Sequence, residues 1–481
     1  MKLRTSFFNM GLLKQDFKQH GWISLAYFVA LIFIIPMNLL MIATNPKHHL
    51  YDSPYLSELI YVEFGLLVIF VIGASIATGM FIFRYLHVKE SADAIHSLPV
   101  LRRELYFTHV ISGLIMLCVP TWLTAIVTWI VYQLVPMSSR LSSSELFATI
   151  GVISLMSAVI YIFTVGVSMI TGQFVAQGAL TVILLFLPTG LMALIGYHLS
   201  LLLFGFSSTY LEANGLSYWS PLVRIAMIQE QSFDTSEVIL YCILAIVFLV
   251  AGYLLYKARH IETATDTISF KLLKPIFRYG VTFCMMLVGG AYFVTFQQEV
   301  HGWLYFGYAV GAIGGYFVAE MVLQKTWRVF ELRLVKGFLI YTIVIIVLVI
   351  GLNSDILGYE TRVPELEQIE GAYYGSPYGL NEKLRNDQKA FENDPAFVES
   401  IRELHEKITT DQPKASEGGT ESEESYTHAF IAYKLKSGGV LVRQYTVSTE
   451  AIEEQLRPIY ESKIYKDDYY ALDQLDIPAI G

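Results

Sequence analysis

Apolar runs separated by short polar links fill the chain from residue 21 to residue 352. Nine such runs lie near 21–43, 59–83, 106–134, 146–171, 174–204, 238–256, 277–296, 303–323 and 337–352. A helix needs about 20 apolar residues to cross the hydrocarbon core of a bilayer. Backbone groups within lipid must be hydrogen-bonded inside the segment itself, so runs of this length predict helices rather than strands. The fourth and fifth runs are parted only by Thr171-Gly172-Gln173, and Pro36, Pro120 and Pro188 predict kinks in their helices. Residues 353–481 change character. A helical spacing of Phe397, Ile401 and Leu404 predicts a helix over 381–408. Alternation on either side of Ser437-Gly438-Gly439 predicts a β-hairpin over 429–448, and a further helix is predicted over 450–461. The run 411–425 has the composition of a mobile loop.

The fold expected is therefore an all-α polytopic membrane protein of about nine transmembrane helices with a small α+β C-terminal domain. Its expected divisions are an interfacial amphipathic elbow helix at 1–20, a six-span core at 21–258, three additional spans at 259–352, and the domain at 353–481. The elbow rests on the pairs Phe8/Leu12 and Leu13/Phe17 beside polar Lys14, Asp16 and Lys18. The run 21–43 is longer than a signal-peptide core and lacks a small-residue cleavage site, so it is expected to be retained as an anchor.

Charge sharpens this picture. Charged residues make up 16% of the chain and hydrophobic ones 54%, whereas soluble domains carry about 25% charged residues. The net charge of -9 is unevenly spread: 353–481 holds 25 acids and 13 bases, leaving 17 acids and 20 bases for the rest. That balance lacks the basic face of a nucleic-acid-binding protein. Bases collect before the first run, between the second and third, after the sixth and after the eighth, while the alternate links are poor in them. The positive-inside rule then puts the N-terminus in the cytoplasm and, with nine spans, the C-terminal domain outside it. Cys118, Cys242 and Cys284 all sit in apolar runs and form neither a disulfide framework nor a zinc spacing. No cofactor or metal site is expected.

Small residues mark helix-packing candidates: Gly73 and Ala77, with Ser75 and Gly79, in the second run, and Gly307, Gly311 and Gly315 in the eighth. Glu63, His198 and Glu320 are ionisable residues near run ends, where interhelical bonding or snorkelling accounts for them. The link 83–105, FRYLHVKESADAIHSLPVLRREL, has helical character of its own and stops at Pro99, with Arg102 and Arg103 anchoring the next run. A short helix held between two membrane helices is able to transmit a push.

The pattern Ser-Leu-Pro-Val-x-Arg-Arg-Glu-Leu at Ser97–Leu105 resembles the segment after the second span of ABC-2-type transporter permeases. The expected elbow helix, the six-run core, the link 205–237 and the segment 256–277 are similar to that family's layout over roughly residues 1–280. The further spans and the extracytoplasmic domain resemble an extended Gram-positive subgroup, with DILGYETRVPELEQI at 355–369 like the start of its tail domain. The resemblance implies a bacterial cell-membrane permease subunit, in which Ser91, Asp93, Ile95, His96, Ser97, Leu98, Pro99, Arg102 and Arg103 are the candidates for coupling to an ATPase. No G-x-x-x-x-G-K-[ST] occurs, so ATP is expected on a partner, an ATP-binding ABC subunit, and not on this chain. A second permease copy or a homologous permease is the other partner implied. A membrane enzyme is disfavoured: the runs hold no H-E-x-x-H, no paired aspartates and no G-x-S-x-G. A non-transporting subunit that converts ATPase motion into an outward signal is the alternative.

Overall fold

The computed structural model describes residues 8–44, 64–134, 143–213, 220–228, 233–296, 301–356, 358–386, 388–411 and 426–470. The helices, in chain order, are α1 (Met10–Ile34), α2 (Pro36–Thr44), α3 (Phe64–Ile82), α4 (Lys89–His96), α5 (Arg102–Leu134), α6 (Ser143–Ile170), α7 (Phe174–Leu202), α8 (Ser208–Ala213), α9 (Pro221–Ala226), α10 (Thr235–Ala258), α11 (Leu273–Phe296), α12 (His301–Gln324) and α13 (Leu332–Asn353). Strand β1 (Ile369–Gly375), α14 (Pro377–Arg385), α15 (Pro395–Asp411), β2 (Tyr426–Leu435), β3 (Val440–Ser448), α16 (Thr449–Glu461) and α17 (Lys463–Tyr470) follow. Among the described residues, nine helical stretches are long and apolar enough to cross a membrane, α1 and α2 together making the first. The described residues are mostly helical, with a small three-stranded sheet near the C-terminus.

Two compact units divide the chain. The first comprises residues 1–189, 217–278 and 319–327, and the second comprises 190–216, 279–318 and 328–481. In the first unit, Leu31, Val71, Phe83, Tyr106, Met116, Met156 and Tyr161 form part of one buried core shared by α1, α3, α5 and α6. Threonine hydroxyls along α5 are satisfied within the helix. The hydroxyls of Thr121, Thr124 and Thr128 each donate to the carbonyl four residues back. The elbow expected at 1–20 is not a separate element among the described residues. Helix α1 runs unbroken from Met10, capped by the Asn9 side chain, into the first span. Asp16 explains this: it is buried, and its carboxylate lies 2.8 Å from Nδ1 of His109 on α5, so that face of the helix is held by protein rather than by the headgroups. Pro36 separates α1 from α2, whereas Pro120 and Pro188 lie inside helices that continue past them.

In the second unit α11 and α12 meet at glycines. A Cβ on Gly307 would collide with the Gly289 backbone, one on Gly311 with the Met285 backbone, and one on Gly315 would stand 2.7 Å from Met285 Cβ. Only small residues allow helix axes this close. A Cβ on Gly73 would meet nothing within 4 Å and Ala77 is only partly covered, while Gly79, on the opposite stripe of α3, lies against Thr164. His198 bridges helices within this unit, with Nε2 2.8 Å from the Leu287 carbonyl and Nδ1 2.8 Å from the Tyr308 hydroxyl. Glu320, in the first unit, pairs with Arg278 and accepts from Gln324. Glu63 and the loop 412–425 lie outside the described residues.

The C-terminal sheet is antiparallel, in the order β1-β2-β3. Its β2–β3 hairpin turns at Gly438, whose φ of +88° is the left-handed conformation glycine adopts without a steric penalty. Helices α15 and α16 pack on one face through Ile401, Leu404, Ile452 and Ile459 against Ile431, Tyr433 and Val447. The single helix expected over 381–408 is two helices. The chain leaves helix after Arg385, and residue 392 bridges to β1 at Ala372. It re-enters helix at Pro395, where the Asp394 carboxylate caps the Phe397 N–H.

Candidate functional site

The segment between α3 and α5 is built around a short amphipathic helix. After Ile82 the chain makes one 3-10 turn, Arg84–His87, extends at Val88 and forms α4 over Lys89–His96. The Ser97 N–H still bonds to the Asp93 carbonyl, and Pro99 prevents further helix. The turn Leu98–Val100 then redirects the chain, and α5 begins at Arg102.

Burial sorts the predicted residues into two faces. Ala92 is fully covered, and Ile95 packs on the core of the first unit. Ser91, His96 and Arg103 are partly covered. Asp93, Ser97, Leu98, Pro99 and Arg102 are exposed, and Leu101 joins them. Leu98 at 42% and Leu101 at 43% exposure flank Pro99, so an apolar rim sits at the end of α4 beside the acid Asp93 and the base Arg102.

Beneath that rim lies a polar joint that sequence reasoning missed. Arg259, which follows α10 directly, is 6% exposed. Its guanidinium donates to the Ser168 carbonyl at the end of α6 (2.5 Å) and to the Leu86 carbonyl in the 3-10 turn (2.9 Å). Ser168 lies in the last turn of α6, where carbonyls have no intrahelical donor. Arg102 contributes a second clamp, with Nη1 3.4 Å from the carbonyls of Lys257 and Arg259. The hydroxyls of Tyr85 and Tyr256 are 3.3 Å apart, and Tyr256 lies 3.5 Å from His96 Nε2. A small cavity of about 10 Å³ lies between Leu86, Ala92, His96, Arg102, Tyr256 and Arg259.

The electrostatics follow from burial. Desolvation lowers the Arg259 pKa to about 10, which leaves it charged at neutral pH. Burial, with the Arg259 charge adding to it, pushes His87 down to about 3. Burial likewise lowers His96, with Arg102 and Arg259 acting in the same direction. Both histidines are thus neutral near pH 7, and the joint carries its positive charge on the arginines.

A strap completes the region. The Thr265 N–H donates to the Gly172 carbonyl and the Ser269 N–H to that of Ile170. Thr171 and Ile268 form an isolated antiparallel bridge. Gly172 has no room for a side chain, because Thr263 and Asp266 backbone atoms occupy that position. The tie between segments 168–172, 84–87 and 259–269 left no mark in the sequence beyond an arginine after an apolar run, which positive-inside counting already accounted for.

Residues 433–476 match a domain of unknown function, DUF6449, covering the end of β2, the whole of β3 and the helices after it. No curated protein and no solved structure matches the chain.

Proposed function

We propose that this chain is the membrane-spanning permease subunit of an ABC transporter, driven by a separate ATPase that docks on the segment 84–103. The observation that carries the reading is a short helix suspended between two membrane helices, with Leu98, Pro99 and Leu101 exposed outward and a polar joint behind. An exposed apolar rim flanked by Asp93 and Arg102 suits a protein partner. A push on α4 passes from His96 to Tyr256 near the end of α10, and from the adjoining Leu86 turn through Arg259 to the end of α6. The resemblance at Ser97–Leu105 supports the same reading. In it the N-terminus and the 84–103 segment are cytoplasmic and the C-terminal domain is extracytoplasmic.

The test is co-expression with candidate ABC-type ATPase subunits from the same genome, followed by purification and measurement of ATP hydrolysis. A stable complex whose hydrolysis changes on assembly is expected. Leu98→Asp with Leu101→Asp should abolish assembly without altering the fold. A folded double variant that still assembles would remove the docking site from the proposal.

The C-terminal domain keeps a second reading open, a non-transporting subunit that passes ATPase motion to the other side of the membrane. It is favoured by the side-chain ties between that domain and the loop following α7, such as Ser207 to Gln444 at 2.6 Å. Flux through reconstituted vesicles separates the two.

A further inference from the structure

Three consecutive residues of β3 hold two separate pieces of chain that emerge from membrane-length helices, and all of them belong to the second unit. The first piece is the link after α13. It turns sharply at Asp355 (φ +40°) and Gly358 (φ +60°), and the Asp355 carboxylate accepts from the N–H groups of Tyr359 and Glu360. Arg443 grips it. The Arg443 Nη2 donates to the Tyr359 carbonyl at 2.9 Å, and its guanidinium lies 3.9 Å from the centre of the Tyr359 ring.

The second piece is the loop after α7. The Gln444 N–H donates to the Gly205 carbonyl (3.1 Å), and the Ser207 hydroxyl donates to Gln444 Oε1 (2.6 Å). The Tyr445 ring stands 4.9 Å from Phe204. Gly205 has φ +84°, and a Cβ there would lie 2.5 Å from the Tyr445 ring, so both backbone conformation and space demand glycine. Glu360 joins the two pieces directly by accepting the Phe204 N–H at 2.8 Å.

The grip is rooted in the domain core. Tyr445 is buried and its hydroxyl lies 2.9 Å from Nε2 of His405, which is fully covered on α15. Arg443 is 2% exposed. A passive cap would need only apolar contact. A buried cation and a polar side-chain network cost desolvation, and they restrict the contact to one register.

We propose that Arg443-Gln444-Tyr445 is a mechanical junction that makes the C-terminal domain and the C-terminal ends of the fifth and ninth membrane-length helices move as one body. This assigns a role to β3, within the segment that matches DUF6449, whatever partner drives the chain. The domain is then tied to the membrane part twice: by the covalent link after α13 and, through the junction, by the end of α7. A displacement of α7 displaces the domain, and a load on the domain returns to α7.

Two measurements on the full chain in lipid nanodiscs test this. Spin labels at Ser200→Cys and Ser354→Cys, with the three native cysteines replaced, report the separation of the two helix ends. A single narrow distance distribution is expected. Ser207→Ala with Gln444→Ala should broaden it at least twofold, and an unchanged width would overturn the proposal. Hydrogen exchange gives the second readout. Gly205→Val should raise exchange at 203–206 and at 440–448 together, by at least tenfold. Gly438→Val, which strains the hairpin tip away from the junction, should raise it only around 435–442. If 203–206 stays within twofold of the parent while β3 loosens in Gly205→Val, the two pieces are not joined and the proposal fails.

Discussion

The α4 segment and the C-terminal domain solve the same problem, holding a small element beside membrane helices, in opposite ways. Helix α4 has eight residues and only one fully buried side chain, Ala92. Burying one alanine contributes little, and an isolated helix of this length is not stable in water. The segments on either side of it are tied by hydrogen bonds to carbonyls, Arg259 to Leu86 before it and Arg102 after it to Lys257 and Arg259, and His96 of α4 lies 3.5 Å from the Tyr256 hydroxyl. The C-terminal domain instead buries a continuous cluster including Phe397, Ile401, Leu404, Ile431, Tyr433, Val447 and Ile459, and adds its polar junction on top. The first arrangement rests on few buried contacts, the second on a packed core. A lever that must move is expected to be bonded rather than packed, and a body that must follow is expected to be packed.

The largest expected effect breaks the bonded side. Arg259→Ala removes the donors of three buried carbonyls, those of Ser168, Met169 and Leu86. At about 1–3 kcal/mol for each bond to a charged donor or each acceptor left unsatisfied, the loss is about 4 kcal/mol. Thermal unfolding in detergent should show it, together with faster exchange over 84–100. An unchanged midpoint would mean that water replaces the guanidinium and that α4 is held by other contacts.

Packing gives the next contrast. Gly311→Leu drives a side chain into the Met285 backbone and should cost about 3 kcal/mol by overpacking, whereas Gly73→Leu and Gly314→Leu, with open space around them, should stay within about 0.5 kcal/mol. Equal effects at Gly311 and Gly73 would erase the distinction between the two glycine stripes.

The domain should respond to acid. Burial, with Arg443 and Arg402 adding to it, lowers the His405 pKa to about 3 from 6.5. The unfolded chain therefore binds a proton between those values when the folded chain does not. The stabilisation is fully present above pH 6.5 and falls as pH drops, by about 1.4 kcal/mol per pH unit down to about 3. At pH 5 the domain should be about 2 kcal/mol weaker, seen as lost protection of the 397–409 amides after correction for intrinsic exchange. His405→Gln should flatten that dependence, and a slope that survives the substitution would point to another group.

The smallest effect on stability belongs to the rim. Leu98→Asp should change the unfolding midpoint by less than about 0.5 kcal/mol, since the side chain is exposed. On the docking proposed above, it should nevertheless weaken ATPase assembly at least tenfold. A rim variant that destabilises the chain as strongly as Arg259→Ala would show that the segment is packed after all.

Much of the outline was legible because its signals are local. The apolar runs of the membrane-length helices, the stop at Pro99, the hairpin around Gly438 and the helix Thr449–Glu461 each depend on length, period or turn chemistry within a few residues. The break between Arg385 and Pro395 was also legible, since Asn393-Asp394-Pro395 is a helix-start signal, but the apolar spacing masked it. Strand β1 was not. Its pattern Ile369-Glu370-Gly371-Ala372-Tyr373-Tyr374-Gly375 is covered on both faces, so the polar alternation that identifies a half-exposed strand is missing.

Taken alone, the chain's order of residues determined nine stretches long and apolar enough to cross a membrane, and a short helix between the second and third of them. Tertiary structure alone decided which of two equally spaced small-residue stripes on α3 packs, that Asp16 belongs to His109, that Arg259 caps α6, and that Arg443-Gln444-Tyr445 joins 204–207 to 359–360. The physical reason is reach. Hydrophobic period and turn chemistry act over a few residues of chain, whereas a buried polar group finds its partner across tens or hundreds of residues, wherever folding brings an unsatisfied carbonyl or carboxylate within bonding distance.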